Sequence, residues 1–593
     1  MADKADKTMK PVDVAIVGFG WTGAIMAKEL TAAGLTVVAL ERGNYRDTYP
    51  DGAYPKTIDE LTYLQRWKLF QNMSKSSFTF RHRVGDTALP YRQIGAFKPG
   101  EGVGGAGLHW SGQQWRALPE ELRIRSHYEE RYGKRFIPDD MTIQDWGVTY
   151  EELEPHYDFV EKMMGTSGRA YRVRGQIVGD GNPFEADRAS DYPLPPQADH
   201  YTAHLFKLAA AQVGLHPFSE PSANTSMPYT NPYGCQMGPC TFCGYCSGYA
   251  CYNYSKASPN VNILPALRQE PRFELRSRCF VTRIDLDDTK RRATGVIYVD
   301  ENGNTVRQPA NIVIASTFAY NNARLFLLSG IGTPYDPVAG KGVVGRNIAY
   351  QTMSTVQMFF DAGKNTNMFI GAGGNGVAVD DYNGDHFDHG PAHFVGGAPV
   401  WCNPAGAKPI SGIPTPHGTP RWGLEWKHAV KANYLNFASF DVHGTNMVYR
   451  DVYVDLDPTY RDHFGLPLLR FTFDWKDNDI RMSRYITDRM LDVARAMNPK
   501  SINVSVKNFG DRFDLRPYQT THWAGGVAMG MDRETSVLNR YLQSWDVPNV
   551  FAVGSGVFPV GLGYNPTGTA CALAYWCAKA IREQYLANPR ALV

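Results

Sequence analysis

The stretch VDVAIVGFGWTGAIMAKELTAAGLTVVALERG, residues 12–43, does most to narrow the folds open to this chain. Val12 to Val17 reads as a buried strand, Gly20 to Ala33 as a helix, and Thr36 to Leu40 as a second strand closed by Glu41. Gly18, Gly20 and Gly23 form G-x-G-x-x-G at the strand-to-helix turn. The first glycine permits the tight turn, the second lets a pyrophosphate approach the backbone, and the third allows the helix to pack closely on the strand. The helix N-terminus offers its N–H groups to that anion. Glu41 is placed to accept hydrogen bonds from a ribose, and its neighbour Arg42 joins the expected cofactor-binding set. A lone glycine triplet would be an ordinary tight turn. Strand, triplet, helix, strand and acid in register predict an α/β dinucleotide-binding domain.

Five of the nine cysteines fall in CQMGPCTFCGYCSGYAC, residues 235–251, with the spacing C-x4-C-x2-C-x2-C-x4-C. An odd total and two-residue gaps are unlike a disulfide framework, because bridges between residues three apart are strained. Structural zinc would ask for four ligands, commonly as two separated knuckles, and no second pair or histidine lies nearby. Closely spaced thiolates suit an iron-sulfur cluster better, although the proline that follows the last ligand in ferredoxins is replaced here by Tyr252.

Charge excludes one class of partner. Lys plus Arg number 61 and Asp plus Glu 59, a net charge of +2, which gives no footprint for nucleic acid or an acidic bilayer. A small ligand is expected instead. The N-terminus has lysines but no apolar core or cleavage site ahead of its first strand, so no signal peptide is expected, and no run of eighteen apolar residues predicts a membrane span.

Two further glycine-rich segments accompany the first: GEGVGGAGLHWSGQQWR at 100–116, and THWAGGVAMG at 521–530 followed by NVFAVGSGVFPVGLGYNPTGTACALAYWCAKAI at 549–581. Together with ASTFAYNNARLFLLSGIG at 315–332 and GVVGRNIAY at 342–350, their order along the chain resembles the glucose-methanol-choline (GMC) oxidoreductases, a family of FAD enzymes. The resemblance implies an FAD-binding Rossmann-like domain with an α+β substrate domain built on an antiparallel sheet. The FAD domain is expected to be discontinuous, over 1–120, 200–350 and 505–593, with the cysteine loop inside it. Residues 351–504 would form the substrate domain, and 121–199 an excursion.

The resemblance also implies roles. His522 matches the family histidine that accepts the alcohol proton, and Asn565 the amide that hydrogen-bonds the substrate oxygen. An imidazole suits general-base work near neutral pH. His109, in GLHWSG, resembles a histidine joined covalently to the flavin. Gly104, Gly105, Trp110, Val281, Gly554, Ser555, Asn565 and Thr567 complete the expected cofactor-binding set. The family's usual acid in the C-terminal motif is Gly554 here, so backbone groups must replace a carboxylate.

Within the family, the cysteine loop and the length resemble most the iron-sulfur large subunits of bacterial sugar, polyol and sugar-acid dehydrogenases. That likeness implies a [3Fe-4S] cluster on Cys240, Cys246 and Cys251, with Cys243 able to substitute and Cys235 least suited. It implies oxidation of a sugar acid or polyol secondary alcohol, gluconate favoured over 2-ketogluconate, sorbitol or fructose, with electrons passing to a membrane-anchored multihaem cytochrome c subunit and ubiquinone. It implies export with a small subunit bearing a twin-arginine signal, to the periplasmic face of the cytoplasmic membrane. Arg116, Arg421 and Lys427 stand as unranked cations for a substrate carboxylate. Two alternatives stay open: a stand-alone FAD alcohol oxidase producing hydrogen peroxide, and a non-catalytic electron-transfer subunit.

Overall fold

The computed structural model describes residues 5–51, 69–75, 77–93, 95–406 and 414–592. The strand Val12–Val17 is apolar on both faces from Val14 onward and is buried there, as a parallel strand covered on two sides must be. It belongs to a sheet in the order Phe273–Arg276, Val37–Leu40, Val12–Val17, Thr305–Ala315, Ala293–Val299, Phe280–Leu286. The long strand Thr305–Ala315 plays two parts. Its first half pairs antiparallel with Ala293–Val299, and its second half pairs parallel with Val12–Val17 and Val550–Ala552. One strand thereby joins a parallel layer to an antiparallel meander.

Helix Trp21–Ala32 packs against helix Thr567–Ala580, whose sequence TGTACALAYWCAKA supplies the small side chains that such close approach needs. Helix Tyr150–Met164 packs on Thr567–Ala580 in turn. It starts from a capping box in which Thr149 Oγ1 accepts the Glu152 N–H at 3.3 Å and the Glu152 carboxylate accepts the Thr149 N–H at 2.9 Å. Leu153, Tyr157, Val160 and Met163 enter the main core, so residues read from sequence as an excursion share a core with the strand Val12–Val17.

The second layer is a six-stranded antiparallel sheet in the order Ser501–Ser505, Gln351–Phe359, Phe437–Thr445, Val400–Cys402, Val377–Val379, Phe218–Ser219. Alternation gives it two characters. Val356, Met358, Cys402, Phe440 and Val442 form a core with residues of helices Tyr201–Gln212 and Asp477–Ala496. Met353, Trp401, Asp441 and His443 project from the other face into a cavity. The α/β fold with an antiparallel sheet is as expected. The strand pairings cross the expected boundaries in two places: Phe218–Ser219 completes the second sheet, and Pro467–Thr472 pairs in parallel with Phe78–Arg81. Among the described residues no helix is long and apolar enough to cross a membrane.

Candidate active site

A cavity of about 580 Å³ is lined at one end by Gly18, Gly20 and Glu41 and at the other by His443, His522 and Asn565. The glycine turn explains its first end. Gly18 has φ +96°, and a Cβ there would come within 2.6 Å of the Ser316 carbonyl oxygen. A Cβ on Gly23 would lie 2.3 Å from the Gly18 carbonyl oxygen. A Cβ on Gly20 would meet nothing within 4 Å, so the turn leaves an unfilled cradle at the N-terminus of helix Trp21–Ala32, which has no side-chain cap. Unsatisfied N–H groups facing such a space suit a pyrophosphate, and the residues present fit FAD.

Glu41 is buried and accepts the N–H groups of Phe19 at 3.1 Å, Gly43 at 2.9 Å and Gly102 at 3.2 Å. Burial raises its pKa against those three bonds. The loop 100–112 crosses the turn: the Gly104 N–H donates to the Phe19 carbonyl at 2.8 Å, and a Cβ on Gly105 would lie 3.2 Å from Gly20 Cα. Gly105, Trp110, Arg42, Val281, Gly554, Ser555 and Thr567 all line the cavity. Gly104 is not among the lining residues; its glycine is required by φ +98° and by Asn260 Oδ1, 2.2 Å from where a Cβ would stand.

His109 is buried in the cavity wall with Phe70 edge-on at 4.4 Å. Its Nε2 has no hydrogen-bond partner among the described residues. Burial, reinforced by the charges of Lys256 and Lys98, pushes its pKa down to about 3, so the imidazole is neutral.

At the far end, His522 Nδ1 lies 2.6 Å from Gln351 Oε1. The Gln351 amide is itself oriented, because Nε2 donates to the carbonyls of Leu562 at 2.7 Å, Gly563 at 3.2 Å and Tyr564 at 3.1 Å. The amide oxygen can only accept, so Nδ1 carries the ring proton and Nε2 keeps a lone pair. Burial pushes the His522 pKa down to about 3 and keeps that lone pair free. Asn565 follows the loop that Gln351 holds. Its Nδ2 donates to Gln113 Oε1, and Gln113 Nε2 donates to Glu220 Oε1. Asn565 Oδ1, buried and without a partner among the described residues, is an open acceptor for a hydroxyl. Burial raises the Glu220 pKa to about 8.

The cysteine loop lies directly behind the His109 loop. The Gly248 N–H donates to the His109 carbonyl at 2.7 Å, and the fully buried Lys256 donates to the carbonyls of Trp110, Cys246 and Tyr249 at 2.7, 2.8 and 2.7 Å. Cys235, Cys240, Cys243, Cys246 and Cys251 are all free thiols. The sulfurs of Cys240, Cys246 and Cys251 each accept an N–H, from Phe242 at 3.4 Å, Asn224 at 3.6 Å and Lys256 at 3.4 Å. Among the described residues no three His, Cys, Asp or Glu side chains are grouped to hold a metal ion. The expected set of Cys240, Cys243, Cys246 and Cys251 therefore has ligand chemistry but is not drawn into a coordination sphere.

Arg116, Arg421 and Lys427 are not among the residues lining the cavity. Arg116 is held by Glu161 at 2.8 Å and Glu154 at 3.1 Å, while Arg421 and Lys427 are exposed. Sequence reasoning missed Gln351, Gln113, Glu220, His443 and Lys256: Gln113 sits within the glycine-rich segment 100–116 without a signal of its own, and the others are single polar residues outside the quoted motifs.

Two segments, 226–353 and 449–574, match the family model described as GMC oxidoreductase. The chain is 62% identical over 588 residues to the gluconate 2-dehydrogenase flavoprotein of Pantoea cypripedii, covering 99% of this chain and 96% of that protein. It is 24% identical to the fructose dehydrogenase large subunit of Gluconobacter japonicus, over 96% of this chain and 97% of the other. Among solved structures, Aspergillus oryzae formate oxidase shares the fold with a TM-score of 0.58 at 14% identity, over 98% of this chain and 100% of that one.

Proposed function

The chain belongs to the GMC oxidoreductase family, and from that premise we propose that this FAD-dependent enzyme is the flavoprotein subunit of a dehydrogenase oxidising D-gluconate to 2-keto-D-gluconate. The observation that carries the substrate is the 62% identity to the Pantoea flavoprotein across 99% of the chain.

The glycine turn at Gly18, Gly20 and Gly23, with Glu41, Arg42, Gly105, Trp110, Val281, Gly554, Ser555 and Thr567, would hold FAD. Bound there, FAD supplies the two-electron acceptor for a hydride leaving an alcohol carbon. The chain's own residues handle the proton. His522 Nε2 takes it from the substrate hydroxyl, with Gln351 fixing the tautomer that leaves Nε2 free. The half-buried imidazole accepts the single hydroxyl proton, and Asn565 Nδ2, which gives one of its two protons to Gln113 Oε1, has the other for the substrate oxygen; together they restrict its orientation, which favours reaction. The orphaned Nε2 of the neutral His109 supports a covalent link to the flavin ring. Retention of flavin by acid-precipitated protein tests the link.

The proposal extends to an iron-sulfur cluster on Cys240, Cys246 and Cys251, with Cys243 as the alternative ligand. Free thiols carrying N–H···S bonds, on a loop whose backbone is hydrogen-bonded to the His109 loop, support it. A cluster supplies one-electron transfer. The family resemblance further supports a small subunit with a twin-arginine signal, a multihaem cytochrome c subunit, ubiquinone as final acceptor, and a periplasmic, membrane-associated site. Iron and sulfide analysis with low-temperature EPR tests the cluster. A dye-reduction screen over gluconate, 2-ketogluconate, sorbitol, fructose and glucose tests the substrate, with gluconate expected to give the highest kcat/KM and any other winner displacing it.

A further inference from the structure

His443 stands in the cavity wall on the strand Phe437–Thr445, 5% exposed, its ring 5.3 Å from that of His522 and 5.0 Å from that of Trp401. Neither of its ring nitrogens has a hydrogen-bond partner among the described residues. A core histidine in this protein looks different. His389 is fully buried and places Nδ1 3.0 Å from the Phe394 carbonyl and Nε2 2.9 Å from the Gly384 carbonyl. Two unpaired nitrogens in a buried ring destabilise a fold unless something outside the chain pairs them.

We infer that His443 binds the substrate oxygen on the carbon next to the one oxidised, which in a sugar acid oxidised at carbon 2 is the carboxylate. The inference rests on the gluconate reading above and assigns the residue that would select for it. Contact between the His443 and His522 rings puts any group held by His443 beside the hydroxyl that His522 deprotonates. The charge around His443 suits an acid at that point. Lys507 donates to the Met353 carbonyl at 3.0 Å and to Gln519 Oε1 at 2.8 Å. Met353 is the cross-strand partner of His443, Gln519 lines the cavity, and the Lys507 ammonium acts electrostatically on the His443 ring. Asp441, two residues earlier on the same face, accepts from Thr355 Oγ1 at 2.6 Å and lines the cavity. An acidic group there repels a carboxylate and accepts from hydroxyls. The wall is thus polarised for a polyhydroxylated acid, carboxylate toward His443 and hydroxyl tail toward Asp441.

The test compares His443→Leu and His443→Gln holoenzymes with wild type, using dye-linked kinetics on gluconate and on the neutral polyol sorbitol. The expected result for His443→Leu is a fall of about tenfold to a hundredfold, the loss of one hydrogen bond to a charged group, in the ratio of kcat/KM for gluconate to that for sorbitol. Partial recovery is expected in His443→Gln, which keeps an amide donor. FAD content and thermal midpoint are expected to hold in both, since no hydrogen bond of His443 to the described residues is lost. An unchanged ratio in a wild-type enzyme active on gluconate overturns the His443 assignment alone. A wild type active on sorbitol and inert to gluconate overturns the substrate reading. A lowered midpoint with lost FAD makes His443 structural and overturns the inference.

Discussion

His522 Nδ1 sits 2.6 Å from Gln351 Oε1, and the other end of that amide is spent on the carbonyls leading to Asn565. The first residue of an antiparallel strand thus orients the His522 ring and anchors the loop that leads to Asn565. Gln351→Leu removes both constraints. Its kcat is expected to fall about tenfold or more, the equivalent of ~1.4 kcal/mol of lost transition-state stabilisation, with KM less affected and FAD retained. Steady-state dye reduction measures this, and an unchanged kcat removes Gln351 from the positioning role.

The glycines of the first turn are expected to separate into two kinds. Gly20→Ala puts a methyl group into space the protein leaves empty, on backbone at φ −92°, ψ −157° that alanine adopts. The variant is expected to fold with near wild-type stability and to purify with depleted FAD. Gly18→Ala drives its methyl to 2.6 Å from the Ser316 carbonyl oxygen at φ +96°, so it is expected to lose stability outright. Flavin content and thermal melting of the two proteins tell them apart; full FAD loading of Gly20→Ala would remove the pyrophosphate from that cradle.

Burial lowers the pKa of His522 to about 3 and of His200 to about 4. Between those values and the ordinary 6.5, the unfolded chain binds protons that the native protein does not, so stability falls as pH drops through that window. Each such histidine contributes a slope of at most about 1.4 kcal/mol per pH unit. Denaturant midpoints at pH 7 and pH 5 are expected to show the loss, and kcat/KM is expected to show no acid limb near pH 6.5 from His522. An acid limb centred there would mean that the base is solvated.

Glu220 titrates in the opposite sense. Burial raises its pKa to about 8, so the stability its neutral form provides is complete below the ordinary carboxyl range and is lost as pH rises through about 8. Glu220→Gln is expected to match wild type near pH 5 and to melt higher than wild type near pH 9. Parallel melting curves across that range would mean that Glu220 is ionised in the fold.

The glycine turn was legible because steric need dictates residue type: Gly18 and Gly23 have backbone where a side chain would go. His522 and Asn565 stood out through the motifs around them, and the fold brings both to the cavity. Gln351, Gln113 and His443 did not, since Gln351 and Gln113 act through partners that only the folded chain brings near, His443 takes its place in the cavity from the sheet, and a single polar residue carries no period or spacing of its own. The strand Pro467–Thr472 was assigned to the substrate domain by its position in the chain, yet pairs with Phe78–Arg81 far earlier in it. Such long-range pairing leaves no trace in local pattern. The cysteine spacing advertised thiolate chemistry, while the N–H groups that reach Cys240, Cys246 and Cys251 come from Phe242, Asn224 and Lys256, residues that look unremarkable in the sequence.

The most direct measurement is anaerobic mixing of the purified holoenzyme with gluconate while the visible absorption of oxidised flavin is followed. Wild type is expected to bleach completely, and His522→Ala, with equal FAD content, to bleach slower by about 10²–10⁴, the contribution of a positioned general base. A wild-type flavin that stays oxidised with gluconate, or an equally fast His522→Ala, would contradict the assignment of this cavity as a gluconate-oxidising site with His522 as its base.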